Sequence, residues 1–223
     1  MTEREVLVDV WSDIHCPWAL VCLHRLRGAR EELRLPNVVF NPRPWPLEWV
    51  NERGTPHDIV ATETIVLAAE EPGLFSAYEN PSWPSTFLPA FELVAAARRV
   101  GGPALAEEVD YGLRVAFFRD QVDVSIAAGL RHALELVHTD RADHEAIMRI
   151  WFTQPVRGDV LAEYEISKTL PIQGSPQVFW PNGDTHHNPG LSDHTWERGM
   201  PRIHSSQPLK PAALLARMAA LRT

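Results

Sequence analysis

The sequence predicts an α/β fold split by a large all-α insertion. Three observations predict it. Two β-rich runs, residues 5–11 and 37–41, flank one helical stretch near the N-terminus. A third β-rich run, opened by Pro176, falls late in the chain. Between them, apolar residues recur every three or four positions from about 56 to 154, with no strong strand run. The α/β domain is therefore assigned to 1–55 and 155–223, and the inserted helical subdomain to 56–154. A chain of 223 residues suits this arrangement.

Each element has a local reason. Residues 5–11, Glu-Val-Leu-Val-Asp-Val-Trp, carry the β-branched and aromatic types that fill a pleated, buried surface. Pro17 suits the first turn of a helix, where its missing N–H costs nothing. Leu20, Val21, Leu23, Leu26 and Ala29 then form an apolar stripe, and Leu35-Pro36 stops the helix. Residues 37–41 form the second strand, so strand, helix and strand make a right-handed crossover with parallel strands. In the insertion, 57–70, 85–100, 103–120, 124–137 and 143–154 read as helices. A further helix at 159–170 precedes a strand at 174–180. Pro181-Asn182-Gly183-Asp184 is a turn signal, and a short strand near 185–188 pairs back antiparallel. An alanine- and leucine-rich helix over 208–221 closes the chain.

Composition narrows the function. Hydrophobic residues make up 45% and charged residues 22%, as in an ordinary globular protein. The formal charge of −8 repels phosphate backbones, so neither nucleic acid nor an anionic membrane surface is an expected partner. The N-terminal segment lacks a basic start and a cleavage site, and no apolar run is long enough for a bilayer; the expected location is cytoplasmic. The two cysteines, Cys16 and Cys22, read as free thiols. On one helix, six residues rise about 9 Å, beyond the roughly 7 Å Cα separation a disulfide tolerates.

Cys16 sits where a strand meets a helix. The first turn of a helix presents unsatisfied N–H groups and the positive end of the macrodipole. Both favour the thiolate, which is the nucleophile. A protonated His15 beside it would act in the same sense. Cys22, among Val21, Leu23 and Leu26, reads as core. His186, His187, His194 and His204 are irregularly spaced and read as surface-loop residues, so no metal is expected. Glu70 with Glu71, and Glu107 with Glu108, read as solvated helix faces.

The turn Ser12-Asp13-Ile14-His15-Cys16-Pro17-Trp18-Ala19 resembles the active-site turn of the DsbA-like thioredoxin superfamily, especially its FrnE-like cytoplasmic branch. Three further segments match in order. Arg43-Pro44-Trp45-Pro46-Leu47 resembles the Arg-Pro-Phe-X-Leu segment after the second strand. Leu113-Arg114-Val115-Ala116-Phe117-Phe118 resembles a helix of the all-α insertion, and Gly174-Ser175-Pro176 the loop with the cis-proline. The resemblance implies a thioredoxin-like fold and thiol–disulfide oxidoreductase chemistry centred on Cys16. It places His15, Pro17, Trp18, Trp45, Ser175 and Pro176 around the substrate. A small thiol or disulfide is the implied substrate, with glutathione or another low-molecular-weight thiol as co-substrate and no other cofactor. A homodimer stays open.

Ala19 departs from the family pattern, which has a second cysteine there. Without it no internal thiol resolves a mixed disulfide, and single-thiol chemistry is what survives. Kappa-class glutathione transferases and 2-hydroxychromene-2-carboxylate isomerases resemble the same architecture and also lack the second cysteine, which makes transferase or isomerase chemistry an alternative. A non-catalytic binding protein on the same fold is another. The insertion is expected to lid a cleft over Cys16, with Tyr111, Phe117 and Phe118 as candidates to face it.

Overall fold

The computed structural model describes residues 4–54, 56–75, 83–204 and 210–219. It has a thioredoxin-like fold whose sheet core carries a large helical region. The sheet has the order β2-β1-β3-β4. Its strands are β1 (Val6–Ser12), β2 (Val38–Pro44), β3 (Gln177–Phe179) and β4 (Thr185–His187). β1 pairs parallel with β2, from Val6 opposite Val38 to Ser12 opposite Pro44, and antiparallel with β3. β4 returns antiparallel on β3. β1 is thus interior, which is why Val8, Val10 and Trp11 are each almost completely buried. β2 runs three residues further than expected, through Pro42 and Pro44. An edge strand tolerates prolines because its outer N–H groups have no ladder partner. Arg98 covers that edge, donating to Asn41 Oδ1 at 2.6 Å and the Pro42 carbonyl at 2.5 Å.

Helix α1 (Pro17–Glu32) makes the crossover between β1 and β2. Every residue from Pro17 to Leu23 is buried, so its first turns are enclosed on all sides. Neighbours on it come from both parts of the chain: α3 (His57–Leu67) and α5 (Leu88–Phe118) from the helical region, and α9 (Pro211–Ala219) from the C-terminal part. Enclosure of this kind stabilises by about 1.5–3 kcal/mol per large apolar side chain, and it leaves the neighbouring Cys16 buried as well.

Two short helices were not legible as periodic runs, α2 (Leu47–Val50) and α4 (Pro72–Phe75). The remaining helices are α6 (Ala127–Glu135), α7 (Arg141–Thr153) and α8 (Arg157–Ser167). The expected pair of helices at 85–100 and 103–120 is one element, α5, with non-helical backbone at Gly101 and Gly102. Gly102 has φ 72°, a conformation open to glycine, and Pro103 follows with no N–H to lose. Gly129 in α6 has a different role: a Cβ there would lie 1.8 Å from the Asp123 carbonyl oxygen. Gly129→Ala is expected to destabilise by about 1–3 kcal/mol, read as a lower urea midpoint at unchanged slope.

The stretch 194–204 is not the expected histidine loop. It forms a hairpin, β5 (His194–Glu197) with β6 (Met200–Ile203), turned at Arg198 and Gly199 with positive φ. β6 packs beside α3. Glu107 is likewise not on a solvated face. It is 3% exposed, pairs with Arg27 at 2.5 Å and Arg30 at 2.8 Å, and accepts the Phe40 N–H at 2.8 Å. This one carboxylate joins α5 to α1 and β2. Among the described residues no helix is long and apolar enough to cross a membrane.

Candidate active site

Cys16 is the N-cap of α1, with extended backbone (φ −83°, ψ 112°). Its carbonyl accepts the Ala19 and Leu20 N–H groups at 3.1 and 3.3 Å, which starts the helix. Pro17 occupies the first helical position. The Cys16 thiol donates to the Ser175 carbonyl at 3.2 Å. The Ser175–Pro176 peptide bond is cis. Ser175 is tied to the same loop a second time, because the Asp13 N–H donates to its hydroxyl at 2.9 Å. The late strand and the Cys16 turn are thus brought together by two hydrogen bonds across about 160 residues.

Asp13 organises the turn. It is fully buried. Oδ1 accepts the His15 N–H at 2.9 Å, and Oδ2 accepts the Leu47 N–H at 2.6 Å. From below, the Arg114 guanidinium donates to the Asp13 carbonyl at 2.5 Å and the Ser12 hydroxyl at 2.8 Å, and is held by Asp110 at 2.8 Å.

His15 neither points to solvent nor bonds the sulfur. It is 2% exposed, stacked on Phe87 at 4.4 Å and edge-on to Trp83 at 6.0 Å. Its Nδ1 lies 2.5 Å from Asp13 Oδ1 but off the hydrogen-bond axis, and its Nε2 has no partner among the described residues. Trp18 is buried, stacks on His194 at 4.1 Å, and donates from Nε1 to Glu63 at 2.9 Å. Trp45 is half-buried and reaches the turn through its backbone, whose N–H donates to the Ser12 carbonyl at 3.2 Å. Phe117 packs against Trp83 and Phe87, one layer behind His15. Phe118 packs on Phe75, and Tyr111 turns to α1, where it meets His24 and Arg27.

The expected thiolate at Cys16 is corrected. Cys16 is only 5% exposed. Burial pushes its thiol up to about 12, and the Glu63 charge, with a smaller part from Asp13, acts in the same direction. The Ser175 contact and the Ala19 N–H oppose this and lose. The helix terminus therefore does favour the thiolate, but desolvation beside two carboxylates outweighs it. Cys22 matches its expected core position: it is fully buried, and its thiol donates to the Pro189 carbonyl at 3.3 Å. Both cysteines are free. A cavity of about 270 Å³ touches Ser12, Arg43, Arg98, Asp110 and Glu163 under α5 and α8, and Cys16 is not in its wall.

Glu63 is the site residue that sequence reasoning missed. Burial raises its carboxyl to about 7, against the opposing pull of the Trp18 hydrogen bond and His15. A signal existed: Val60, Glu63 and Leu67 are spaced three and four apart, and Val60 and Leu67 form the buried face of α3. A carboxylate interrupting such a stripe marks a buried polar group.

A thioredoxin-like domain with a thiol at the start of α1, facing a cis-proline loop, defines the class. No family model matches the sequence, and no curated protein matches it. Solved structures do. A candidate protein disulfide isomerase from Nitrosomonas europaea matches at TM-score 0.66 and 14% identity, over 99% of this chain and 100% of that one. The cytosolic disulfide reductase DsbM from Pseudomonas aeruginosa matches at 0.55 and 14% identity, over 97% and 100%. A 2-hydroxychromene-2-carboxylate isomerase matches at 0.57 and 12% identity, over 96% and 94%. At these identities the likeness is one of fold.

Proposed function

We propose that this chain is a thiol–disulfide oxidoreductase relative of the DsbA-like group, of the FrnE-like kind, acting through Cys16 alone. The observation that carries the reading is the 3.2 Å contact between the Cys16 thiol and the Ser175 carbonyl beside Pro176. A disulfide lying along the Ser175 backbone would bring a sulfur to Cys16. The thiol's S–H and the disulfide's S–S break, a Cys16–S bond forms, and the proton leaves with the released thiol. A second small thiol then frees Cys16. Pro17, Trp18 and His15 wall the turn, and Trp45 follows β2 beside it.

The high thiol pKa sets the direction of this chemistry. A thiol that resists ionisation is a poor leaving group, so the second thiol frees Cys16 from its mixed disulfide slowly. Strong oxidants of this fold work the other way, through a stabilised thiolate. We therefore place this protein on the reducing, thiol-capturing side, in a reducing compartment such as the cytoplasm. The co-substrate is a low-molecular-weight thiol of the glutathione kind.

The test is incubation with 2-hydroxyethyl disulfide, followed by mass-spectrometric mapping. An adduct is expected on Cys16 and not on Cys22, and Cys16→Ser abolishes it. Adducts absent from Cys16, or equal on both cysteines, overturn the reading. A second reading, transferase or isomerase chemistry, is favoured by Ala19, which is fully buried where a resolving thiol would stand. It predicts that Cys16→Ser keeps thiol-dependent turnover of a small electrophile.

A further inference from the structure

Two carboxylates, Glu63 and Asp13, act on the Cys16 thiol. Glu63, on α3, accepts the Nε1–H of Trp18, two residues after the thiol. Asp13 lies three residues before it, with both carboxylate oxygens buried in backbone hydrogen bonds. The charges that act on the thiol come from these two acids. The nearby guanidiniums are committed elsewhere. Arg114 is held by Asp110, Ser12 and the Asp13 carbonyl, and Arg25 by Glu70, Glu71 and the Gly190 carbonyl. Two imidazoles near the turn add no cation, because burial lowers both His194, on Trp18, and His187, against Gly174; His15, in the turn itself and stacked on Phe87, acts on Glu63 in the opposite sense to burial. At the turn, His15 Nδ1 and Nε2 are buried without a hydrogen-bond partner among the described residues.

We infer that the Cys16 site selects its small disulfide by charge, taking amine-bearing ones over carboxylate-bearing ones, with Glu63 as the specificity-determining residue. The inference rests on the thiol chemistry proposed above and names its substrate class. An ammonium two carbons from the attacked sulfur would meet the Glu63 carboxylate in a site shielded from water, where opposite charges attract strongly. A carboxylate in the same place meets like charge. The exchange balances in either case: the disulfide S–S bond and the Cys16 S–H break, the Cys16–S bond forms, and the released thiol takes the proton.

The experiment, run about two pH units above the value of about 7 to which burial raises Glu63 so that its carboxyl is ionised, uses three small disulfides of similar length on the full chain: cystamine, 2-hydroxyethyl disulfide and 3,3′-dithiodipropionate. Each rate of adduct formation on Cys16 is divided by the rate of the same disulfide with 2-mercaptoethanol. Cystamine is expected to exceed dithiodipropionate by roughly tenfold or more, and 1 M salt to shrink the ratio only partly, because a buried charge is poorly screened. Glu63→Gln is expected to bring the ratio close to one and to speed the neutral disulfide. Equal rates in the wild type, a preference for the dianion, or an unchanged ratio in Glu63→Gln overturns the charge selection while leaving the thiol chemistry intact. Adduct on Cys16 with none of the three overturns both.

Discussion

Arg114→Met is expected to destabilise the protein by about 3–5 kcal/mol, the loss that follows when one partner of a buried ion pair is removed. Arg114 is 1% exposed and Asp110 is 4% exposed. Methionine fills much of the volume but leaves the Asp110 carboxylate buried without its cation. It also leaves the Asp13 carbonyl and the Ser12 hydroxyl without their donor. The cost thus falls on the turn that holds Cys16 as well as on the fold. Urea unfolding measures it. The double variant Asp110→Leu/Arg114→Met should recover much of the loss, because two apolar groups demand no compensation. A single-variant loss under 1 kcal/mol would show that the pair does not tie α5 to the β1 end.

The second large effect is on Cys16 itself. With the thiol pushed up to about 12 from an ordinary 9.0, the thiolate fraction at pH 8 is about a thousandfold smaller. Iodoacetamide labelling of Cys16 in the native protein is expected to run about that much slower than in the urea-unfolded chain. Its logarithm should keep rising with pH through pH 10, without a plateau. A plateau near pH 7 is the contrary result and would restore an activated thiolate. Glu63→Gln should move the native profile toward lower pH, since it removes a charge that opposes ionisation. The stability sign follows from the same shift. The folded-state pKa is raised, so the group's relative contribution is intact below pH 9 and is lost as pH rises from 9 toward 12. Slow alkylation and slow release of the mixed disulfide have one cause, the cost of placing negative charge on this sulfur.

The parts of the fold that were legible rest on near-neighbour chemistry. Val6–Ser12, Pro17–Glu32 and the proline-opened β3 announce themselves through side-chain type and spacing. So does the Gly101-Gly102-Pro103 break, because glycine opens backbone conformations closed to other residues and proline fixes its own φ. The position of Cys16 at a strand-to-helix junction was legible from the residues around it, and its pairing with the Ser175–Pro176 loop through the resemblance. The hairpin at His194–Ile203 was not, because its strands are four residues each and mostly exposed, so no alternation of buried and exposed types marks them.

What the chain determines by itself is which elements form and which residue carries the sulfur. What the tertiary structure alone decides is the state of that sulfur. Ionisation depends on how much water is removed and which charges remain nearby, and both are contributed by distant segments. Glu63 comes 47 positions later along the sequence and Ser175 another 112 beyond it. The helix N-terminus is a local device that any reading of Cys16-Pro17 detects; the desolvation that overrides it is a property of the assembled interior.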